Sequence, residues 1–308
     1  FHTAHGDYPE PFNKEHETEF LKLGTELSSD EKLSDGAEYL LTEMCRTCRG
    51  RLNPICAVFG GYVGQEVLKA CSAKFTPTHQ FFYMDFCEML PSRTEGEEFA
   101  VTCAADVAPQ GSRYDGQVAV IGHKLQAAVC RQNYFLVGAG AIGCEMLKNW
   151  ALMGVGQERG MIHVTDMDAI ERSNLSRQFL FHENHIGQLK STTAAQAAQA
   201  MNPSLNIRAY DLAVGPNSEG DFTDDFIESL DCVVTALDNV QARLYLDDRA
   251  MQFAKPFVDS GTLGAMGSTQ VVVPRMTKHY GAERDPPAKS IPLCTLKRFP
   301  YRIEHTIQ

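Results

Sequence analysis

A glycine-rich run in the middle of the chain carries the residue types that bind phosphate. Gly138, Gly140 and Gly143 form a GxGxxG pattern between the apolar residues 134–137 and a helix-forming stretch. Such glycines allow a tight turn and a close backbone approach, and the first amides of the helix point at the ligand. The pattern indicates a nucleotide-binding loop, and the alternative is a tight strand–helix turn that binds nothing.

Two acids follow the second predicted strand, residues 161–165. Asp166 and Asp168 stand where an acid hydrogen-bonds a ribose hydroxyl in NAD-dependent enzymes. An NAD-dependent oxidoreductase and an ATP-dependent enzyme both fit the sequence up to this point.

Three further polar residues favour a nucleoside triphosphate. Asn174 and Arg177 are three residues apart on a predicted helical turn and would share one face, and Lys190 begins the next predicted helix. A dinucleotide pyrophosphate does not need these donors. A triphosphate under nucleophilic attack develops negative charge on its oxygens, and these donors would stabilise that charge. For each cation taken alone, the alternative is a solvated surface charge.

A carboxylate closes the predicted strand at residues 232–237. Asp238 is followed by Asn239, and an acid at the carboxyl end of a central strand is placed to hold Mg²⁺ against phosphates. Asp238 would alternatively cap the following helix, or do both.

The elements that must position these residues alternate along the chain. The predicted strands are residues 134–137, 161–165, 207–210, 232–237, 256–260 and 269–273. The predicted helices are residues 143–153 and 189–201, with a short helix near Asn174. This alternation predicts an α/β fold with a doubly wound, mostly parallel sheet, whose ligands lie beyond the carboxyl ends of the strands. Upstream, we predict helices at residues 16–26, 37–48 and 55–71, a strand at residues 80–85 and a linker or surface loop at residues 95–110.

Composition excludes several classes of protein. The 308 residues carry a formal net charge of −11, which argues against a general nucleic-acid binder. The longest apolar runs are of strand length, and the first residues show no signal peptide. Ten scattered cysteines are best interpreted as reduced thiols. Cys45 and Cys48 could form half of a zinc site, but two small semi-buried helical residues are the favoured interpretation.

Longer runs around these residues match a known family. They are VGAGAIGCEMLKNWALMGVG, VTDMDAIERSNLSRQFLF, ALDNVQARLYLDDR, SGTLGAMGSTQVVVP and DPPAKSIPLCTLKRFP. Their order and spacing resemble the active adenylation half of eukaryotic ubiquitin-activating enzymes across residues 113–308. The earlier run NPICAVFGGYVGQEVLKACSAKFTP resembles the end of the inactive adenylation half of the same family.

The resemblance implies a Rossmann-like, ThiF/MoeB-type adenylation fold, preceded by a helical and β remnant of a second adenylation half. It divides the chain into the end of the inactive half (1–91), a linker (92–112), the ATP-binding adenylation domain (113–285) and the start of a catalytic cysteine segment (286–308). The implied ATP site comprises Gly138, Gly140, Ala141, Gly143, Asp166, Asp168, Asn174, Arg177, Gln178, Lys190, Asp238 and Asn239. Within it, Gln178 is a weaker candidate and Asp238 is the implied Mg²⁺ ligand. The implied catalytic residues are Cys294, Asp238 and Arg177.

The resemblance also implies an activity. ATP and Mg²⁺ would serve to adenylate the C-terminal glycine of ubiquitin, and Cys294 would then take the ubiquitin as a thioester for transfer to ubiquitin-conjugating enzymes. Neither nucleic acid nor membrane is an expected partner, and the implied location is cytoplasmic and nuclear. The alternatives are activation of another ubiquitin-like modifier or a sulfur carrier, and a non-catalytic adenylation-fold scaffold. Because the sequence ends soon after Cys294, we expect these residues alone to have weak or no activity.

Overall fold

The computed structural model describes residues 1–28, 32–263 and 266–282. Its first part is helical, and these helices are α1 His2–His5, α2 Lys14–Leu27, α3 Asp35–Thr47, α4 Asn53–Ser72 and α5 Asp115–Cys130. Side-chain caps explain where two of them begin, because Asn13 accepts from the amides of Glu15 and His16, and Ser34 from that of Ala37. The helices predicted from residues 16, 37 and 55 are confirmed, and each begins two residues earlier.

The predicted strand at residues 80–85 is wrong. This stretch has no regular secondary structure, and its aromatic side chains are largely exposed, with Phe81 at 72% and Tyr83 at 84%. Aromatic residues favour strands only where another strand pairs with them and a core covers one face. Among the described residues no strand precedes residue 133, so this segment has no pairing partner there.

The rest of the described chain forms one six-stranded sheet with helices on both faces. The strands are β1 Asn133–Val137, β2 Met161–Thr165, β3 Ile207–Tyr210, β4 Cys232–Thr235, β5 Phe257–Leu263 and β6 Met266–Val272. The helices are α6 Ala141–Met153, α7 Lys190–Met201, α8 Asp224–Glu228 and α9 Val240–Gln252. The strand order is β3-β2-β1-β4-β5-β6, and only the pairing of β5 with β6 is antiparallel. The predicted doubly wound, mostly parallel sheet is therefore confirmed.

Alternate residues of the central strand face two separate cores. Leu136 of β1 packs with Leu147, Ile162 and Val164 on one face of the sheet. Its neighbours Phe135 and Val137 belong to the core on the other face, which also contains Phe222, Val233, Leu246 and Phe257. Because side chains alternate along a strand, a strand buried on both sides is almost continuously apolar. The order of connections reverses between β1 and β4, and this is where ligands bind in open α/β sheets.

The described helices include none that is both long and apolar enough to cross a membrane.

Candidate active site

The glycine loop is closed tightly at the carboxyl end of β1. Gly138 has a φ of 103°, which favours glycine, and its amide donates to the Thr165 carbonyl at the end of β2 over 2.9 Å. A Cβ at Gly138 would lie 2.5 Å from the Ala236 carbonyl oxygen, and one at Gly143 would lie 2.2 Å from the Gly138 carbonyl oxygen. The loop therefore needs glycine at both positions, and α6 begins directly behind it at Ala141.

The Asp166 carboxylate braces this loop. Its Oδ2 accepts from the Ala139 amide over 2.7 Å, and its Oδ1 accepts from the Asp168 amide over 2.9 Å. Each oxygen keeps a further lone pair, so the carboxylate is fixed in place and remains able to accept from a ribose hydroxyl.

Lys190 is held against the end of β2. Its Nζ lies 2.7 Å from Oδ2 of Asp168, and its amide donates to the Asp168 carbonyl over 2.9 Å. Lys190 is 8% exposed, whereas the Asp168 side chain is 58% exposed. A buried ammonium with one exposed partner is a preformed cation at the first residue of α7, where an incoming phosphate would compete with Asp168 for it.

Asn174 and Arg177, in the segment between β2 and α7, lie in different environments. Asn174 is buried in a short 3-10 helix (Arg172–Ser176), and its Oδ1 accepts from the Glu171 amide over 2.9 Å. The spacing predicted one shared face for Asn174 and Arg177. In the structure Arg177 is exposed, at the C-terminal end of the turn, where the backbone φ is −145°.

Gln178 lies beside the glycine loop. A Cβ on Gly140 would be 3.9 Å from its Nε2, and the side chain is 4% exposed. Within the described residues its buried Oε1 has no hydrogen-bond partner. A buried amide oxygen left unpaired is costly, so a donor from a ligand or a water at this position would stabilise it.

Asp238 and Asn239, which follow β4, have different surroundings. Asn239 caps α9, because its Oδ1 accepts from the amides of Gln241 and Ala242 over 2.9 and 3.4 Å. The alternative in which Asp238 caps this helix is therefore wrong. Asp238 is exposed, and no hydrogen bond or ion pair engages its carboxylate within the part of the chain that the structure describes.

This free carboxylate suits Mg²⁺. Protein Mg²⁺ sites use one or two carboxylates, with phosphate oxygens and waters completing the octahedron. Across the described residues no group of three or more His, Cys, Asp and Glu side chains is placed to hold a metal ion.

Sequence reasoning missed Arg243, which supports the turn that follows β4. Arg243 of α9 donates through Nη2 to the Leu237 carbonyl, and its Nε lies 3.2 Å from Oδ1 of Asp259. Asp259 is 3% exposed and also accepts from the Thr235 hydroxyl. Arg243 follows the capping Asn239 by one helical turn on the same face, and this spacing is the signal that could have found it.

The predicted nucleophile, Cys294, lies outside the described residues. Among the described thiols, burial raises the pKa of Cys144 and of Cys232 to about 12. A thiol with such a pKa is almost entirely protonated near neutral pH and is a poor nucleophile.

The predicted residues thus gather at the carboxyl ends of β1, β2 and β4, with Arg177 exposed on the connection beyond β2. A tight glycine loop, a buried ammonium and an exposed carboxylate at such a place can hold a polyphosphate together with a divalent cation.

Comparisons with known proteins found a family and several relatives that this chain matches. Residues 114–301 match the ThiF family. The chain is 52% identical over 316 residues to ubiquitin-activating enzyme E1 1 of Schizosaccharomyces pombe, covering 100% of this chain and 30% of that protein. It is 50% identical over 303 residues to ubiquitin-like modifier-activating enzyme 1 of Dictyostelium discoideum, covering 97% of this chain and 29% of that protein. The chain spans less than a third of the length of these relatives.

A solved structure is similar in fold. The crystal structure of E. coli MccB with MccA-N7isoASN superposes with a TM-score of 0.51 at 19% sequence identity, covering 57% of this chain and 52% of that one. At this identity the likeness concerns the fold alone.

Proposed function

The chain belongs to the ThiF family, and from this premise we propose that it is the nucleotide-binding part of an enzyme that activates ubiquitin with ATP. The proposed reaction forms an adenylate on the C-terminal glycine of ubiquitin and then a thioester on Cys294. Ubiquitin-conjugating enzymes would receive the ubiquitin from that thioester. Support comes from relatives at 47–52% identity that are named as ubiquitin-activating or ubiquitin-like modifier-activating enzymes.

One observation carries the choice of ATP. Three groups lie at the carboxyl ends of the strands, near the point between β1 and β4 where the order of connections reverses. They are the glycine loop, the buried ammonium of Lys190 and the free carboxylate of Asp238. A dinucleotide pyrophosphate needs the loop but neither of the other two groups. A triphosphate that is attacked at phosphorus needs all three, because charge develops on its oxygens.

Adenylation would proceed by displacement at the α-phosphorus. A carboxylate oxygen of the ubiquitin terminus attacks that phosphorus, the bond to the bridging oxygen breaks, and pyrophosphate leaves. Lys190 and Arg177 would meet the charge that develops on the phosphate oxygens. Mg²⁺, held by Asp238, would supply further neutralisation of that charge.

Thioester formation would follow at the mixed anhydride. The Cys294 thiolate attacks the acyl carbon, a carbon–sulfur bond forms, and AMP leaves with the electrons of the carbon–oxygen bond. The thiol proton must leave before or during this attack, because the thiolate is the nucleophile.

A second candidate substrate is another ubiquitin-like modifier. The Dictyostelium and mouse relatives, at 50% and 47% identity, are named for ubiquitin-like modifiers in general. The chemistry would be the same, and the two candidates differ only in the protein that presents its C-terminal carboxylate.

The deciding experiment incubates the intact protein with Mg-ATP and a panel of ubiquitin and ubiquitin-like proteins, followed by a non-reducing gel. We expect a thiol-sensitive adduct with ubiquitin. It should disappear in Cys294→Ala, which keeps ATP–pyrophosphate exchange, and both activities should fall in Asp238→Ala.

Other results would contradict the proposal. An adduct that survives Cys294→Ala would mean that another residue is the nucleophile. An adduct with a different modifier would support the second candidate. Tight NADH binding without ATP binding would exclude this function.

A further inference from the structure

The guanidinium of Arg243 joins the ends of two neighbouring strands. Its Nη2 donates to the carbonyl of Leu237, which follows β4, and to the carbonyl of Ser260 in β5 over 3.4 Å. Its Nε lies 3.2 Å from Oδ1 of Asp259, also in β5. The Arg243 side chain is 15% exposed, so these contacts are largely shielded from water. One planar group thus fixes the turn after β4 to β5.

The carboxylate that pairs with this guanidinium is itself fixed. Asp259 is 3% exposed, and the Thr235 hydroxyl donates to its Oδ1 over 2.5 Å. A buried carboxylate is strongly unfavourable without a paired charge and hydrogen bonds, so Asp259 and Arg243 hold each other in place. The space around the guanidinium is also filled, because a Cβ on Gly261 would lie 2.8 Å from Nη2 of Arg243. The guanidinium therefore has little freedom to move.

Helix α9 gives Arg243 a rigid base. Asn239 caps its first turn through the amides that follow. One turn beyond Arg243, the buried Asp247 accepts from the amides of Tyr280 and Gly281 over 3.0 and 2.8 Å. The helix is thus fixed on either side of Arg243.

The turn that Arg243 fixes carries the exposed carboxylate of Asp238. The carbonyl that Arg243 binds belongs to the peptide bond between Leu237 and Asp238. Because the carboxylate itself is exposed, its position is set through this backbone. On its other side the turn touches the glycine loop, since a Cβ on Gly138 would lie 2.5 Å from the Ala236 carbonyl oxygen.

We propose that Arg243 is a positioning residue that places the Asp238 carboxylate for the Mg²⁺ ion that accompanies ATP. The guanidinium pairs with a carboxylate and binds two carbonyls at once, so it holds the turn at a fixed place beside the glycine loop. In this role Arg243 touches neither the nucleotide nor the cation. The inference rests on the proposed function and adds to it a residue that acts through Asp238.

The test measures ATP binding to the intact protein by titration, once with Mg²⁺ and once with EDTA. Arg243→Lys keeps the positive charge beside Asp259, but a compact ammonium does not also reach both carbonyls. We expect the Kd for ATP in Mg²⁺ to rise about tenfold, because a residue that orients a metal ligand contributes that much to metal binding. The Kd in EDTA should stay within about twofold of the wild type, because the glycine loop and Lys190 are unchanged.

A double-mutant cycle shows whether Arg243 acts through Asp238. Asp238→Asn alone should remove most of the effect of Mg²⁺ on ATP binding. Adding Arg243→Lys to it should then raise the Kd in Mg²⁺ by less than about twofold, because the two changes act on one carboxylate. An equal effect of Arg243→Lys with and without that carboxylate would overturn the inference.

Arg249→Lys is the matched control on the same helix. Arg249 binds Oδ1 of Asp224 over 2.6 Å and the Phe222 carbonyl over 3.2 Å. This change therefore also exchanges a guanidinium for an ammonium, but at contacts that do not involve the turn after β4. Both Kd values should stay within about twofold of the wild type.

Two glycine variants carry the test if Arg243→Lys fails to fold. Gly261→Ala crowds Nη2 of Arg243 and should raise the Kd in Mg²⁺ more than the Kd in EDTA. Gly267→Ala in β6 should change neither value, because the nearest atom to its Cβ is the Gly261 carbonyl oxygen at 4.0 Å.

The outcomes separate this inference from the proposed function. Equal increases in both Kd values for Arg243→Lys, or no increase in either, would overturn the positioning role and leave ATP binding in place. A wild type that binds ATP equally in Mg²⁺ and in EDTA would overturn it as well. A wild type that binds no ATP under either condition would instead exclude the proposed function.

Discussion

Two glycines of the same loop should respond differently to an added methyl group. A Cβ at Gly143 would lie 2.2 Å from the Gly138 carbonyl oxygen, and backbone cannot move aside cheaply there. Alanine has a higher helix propensity than glycine. We nevertheless expect Gly143→Ala to lower the free energy of unfolding by about 1–3 kcal/mol and to weaken ATP binding, because of this close contact. Urea denaturation and nucleotide titration measure these two effects.

The control is Gly140→Ala. The nearest atom to its Cβ is Nε2 of Gln178 at 3.9 Å, which is ordinary contact, and its φ of −75° suits any residue. This variant should keep its stability within about 0.5 kcal/mol. Equal losses in both variants would mean that the loop is not held as the structure describes.

Arg177 offers a test of catalysis that is separate from stability. It is exposed, and its Nη1 donates only to the Ser173 carbonyl among the described residues, over 2.9 Å. Arg177→Ala should therefore leave the free energy of unfolding within about 0.5 kcal/mol of the wild type. ATP–pyrophosphate exchange should fall by about 10²-fold if the guanidinium meets charge in the transition state. Full exchange activity would remove Arg177 from the proposed site.

At the scale of elements, the apolar pattern predicted the strands of the sheet, and the errors lie at their ends. The predicted bounds of β2 and β3 match the structure, since alternation and burial agree there. The strand before Asp238 ends at Thr235 rather than residue 237, because the chain turns outward into the site. β5 continues to Leu263, three residues beyond the prediction, because β6 pairs with its full length.

Some parts of the candidate site could likewise be predicted from the sequence, and others could not. The glycine loop, Asp166 and Lys190 could be predicted from their positions at the ends of strands and at the start of a helix, although the partners of Asp166 and Lys190 are 27 and 22 residues away. The hydrogen bonds that Asp247 accepts from the amides of Tyr280 and Gly281 could not be predicted, because no motif marks them and they exist only after folding. Residues 80–85 fail for a related reason, since a strand is defined by a partner that a local pattern does not contain.

A histidine of β2 should make stability depend on pH. His163 lies among the rings of Tyr210 and Phe226, and its Nδ1 is 2.8 Å from the Tyr210 hydroxyl. Burial, assisted by the charge of Arg208, lowers the pKa of His163 from 6.5 to about 4. Between these two values the unfolded chain binds a proton that the folded chain does not. The contribution of His163 to stability therefore decreases as the pH falls from 6.5 to about 4.

Replacing this ring should flatten the profile. In His163→Phe we expect a weaker fall in the free energy of unfolding between pH 6.5 and 4.5 than in the wild type, measured by urea denaturation at each pH. His182→Phe, at an exposed histidine, should keep the wild-type slope. Parallel curves for the wild type and His163→Phe would contradict a neutral, half-buried imidazole.

At the scale of the whole molecule, an ion-pair cluster joins the first helices to the segment that precedes α5. Glu43 of α3 is 2% exposed and binds Arg46 over 3.0 Å and Arg93 over 2.6 Å. The ring of Phe12 lies near both guanidinium groups, at 5.1 and 5.4 Å. Arg93 also donates to the Val101 carbonyl over 3.2 Å.

The segment after Arg93 continues this connection. Val101 is 2% exposed and packs on α5 at its kink, where Gly122 has a φ of 76°. A Cβ on Gly122 would lie 2.6 Å from a methyl group of Val101. The cluster and this contact together fasten the helical part to α5, which leads directly into β1.

We therefore expect Glu43→Gln to destabilise the fold as a whole. It removes the one charge that both Arg46 and Arg93 share, and breaking such a buried pair costs about 3 kcal/mol. The midpoint of urea unfolding should fall for the helical part and for the sheet together, as followed by proteolysis within each. Glu26→Gln, in an exposed pair with Lys22 at 3.8 Å, should change stability by less than about 0.5 kcal/mol. Loss of the helical part alone, with the sheet unaffected, would mean that the cluster stabilises only its own helices and does not fasten them to α5.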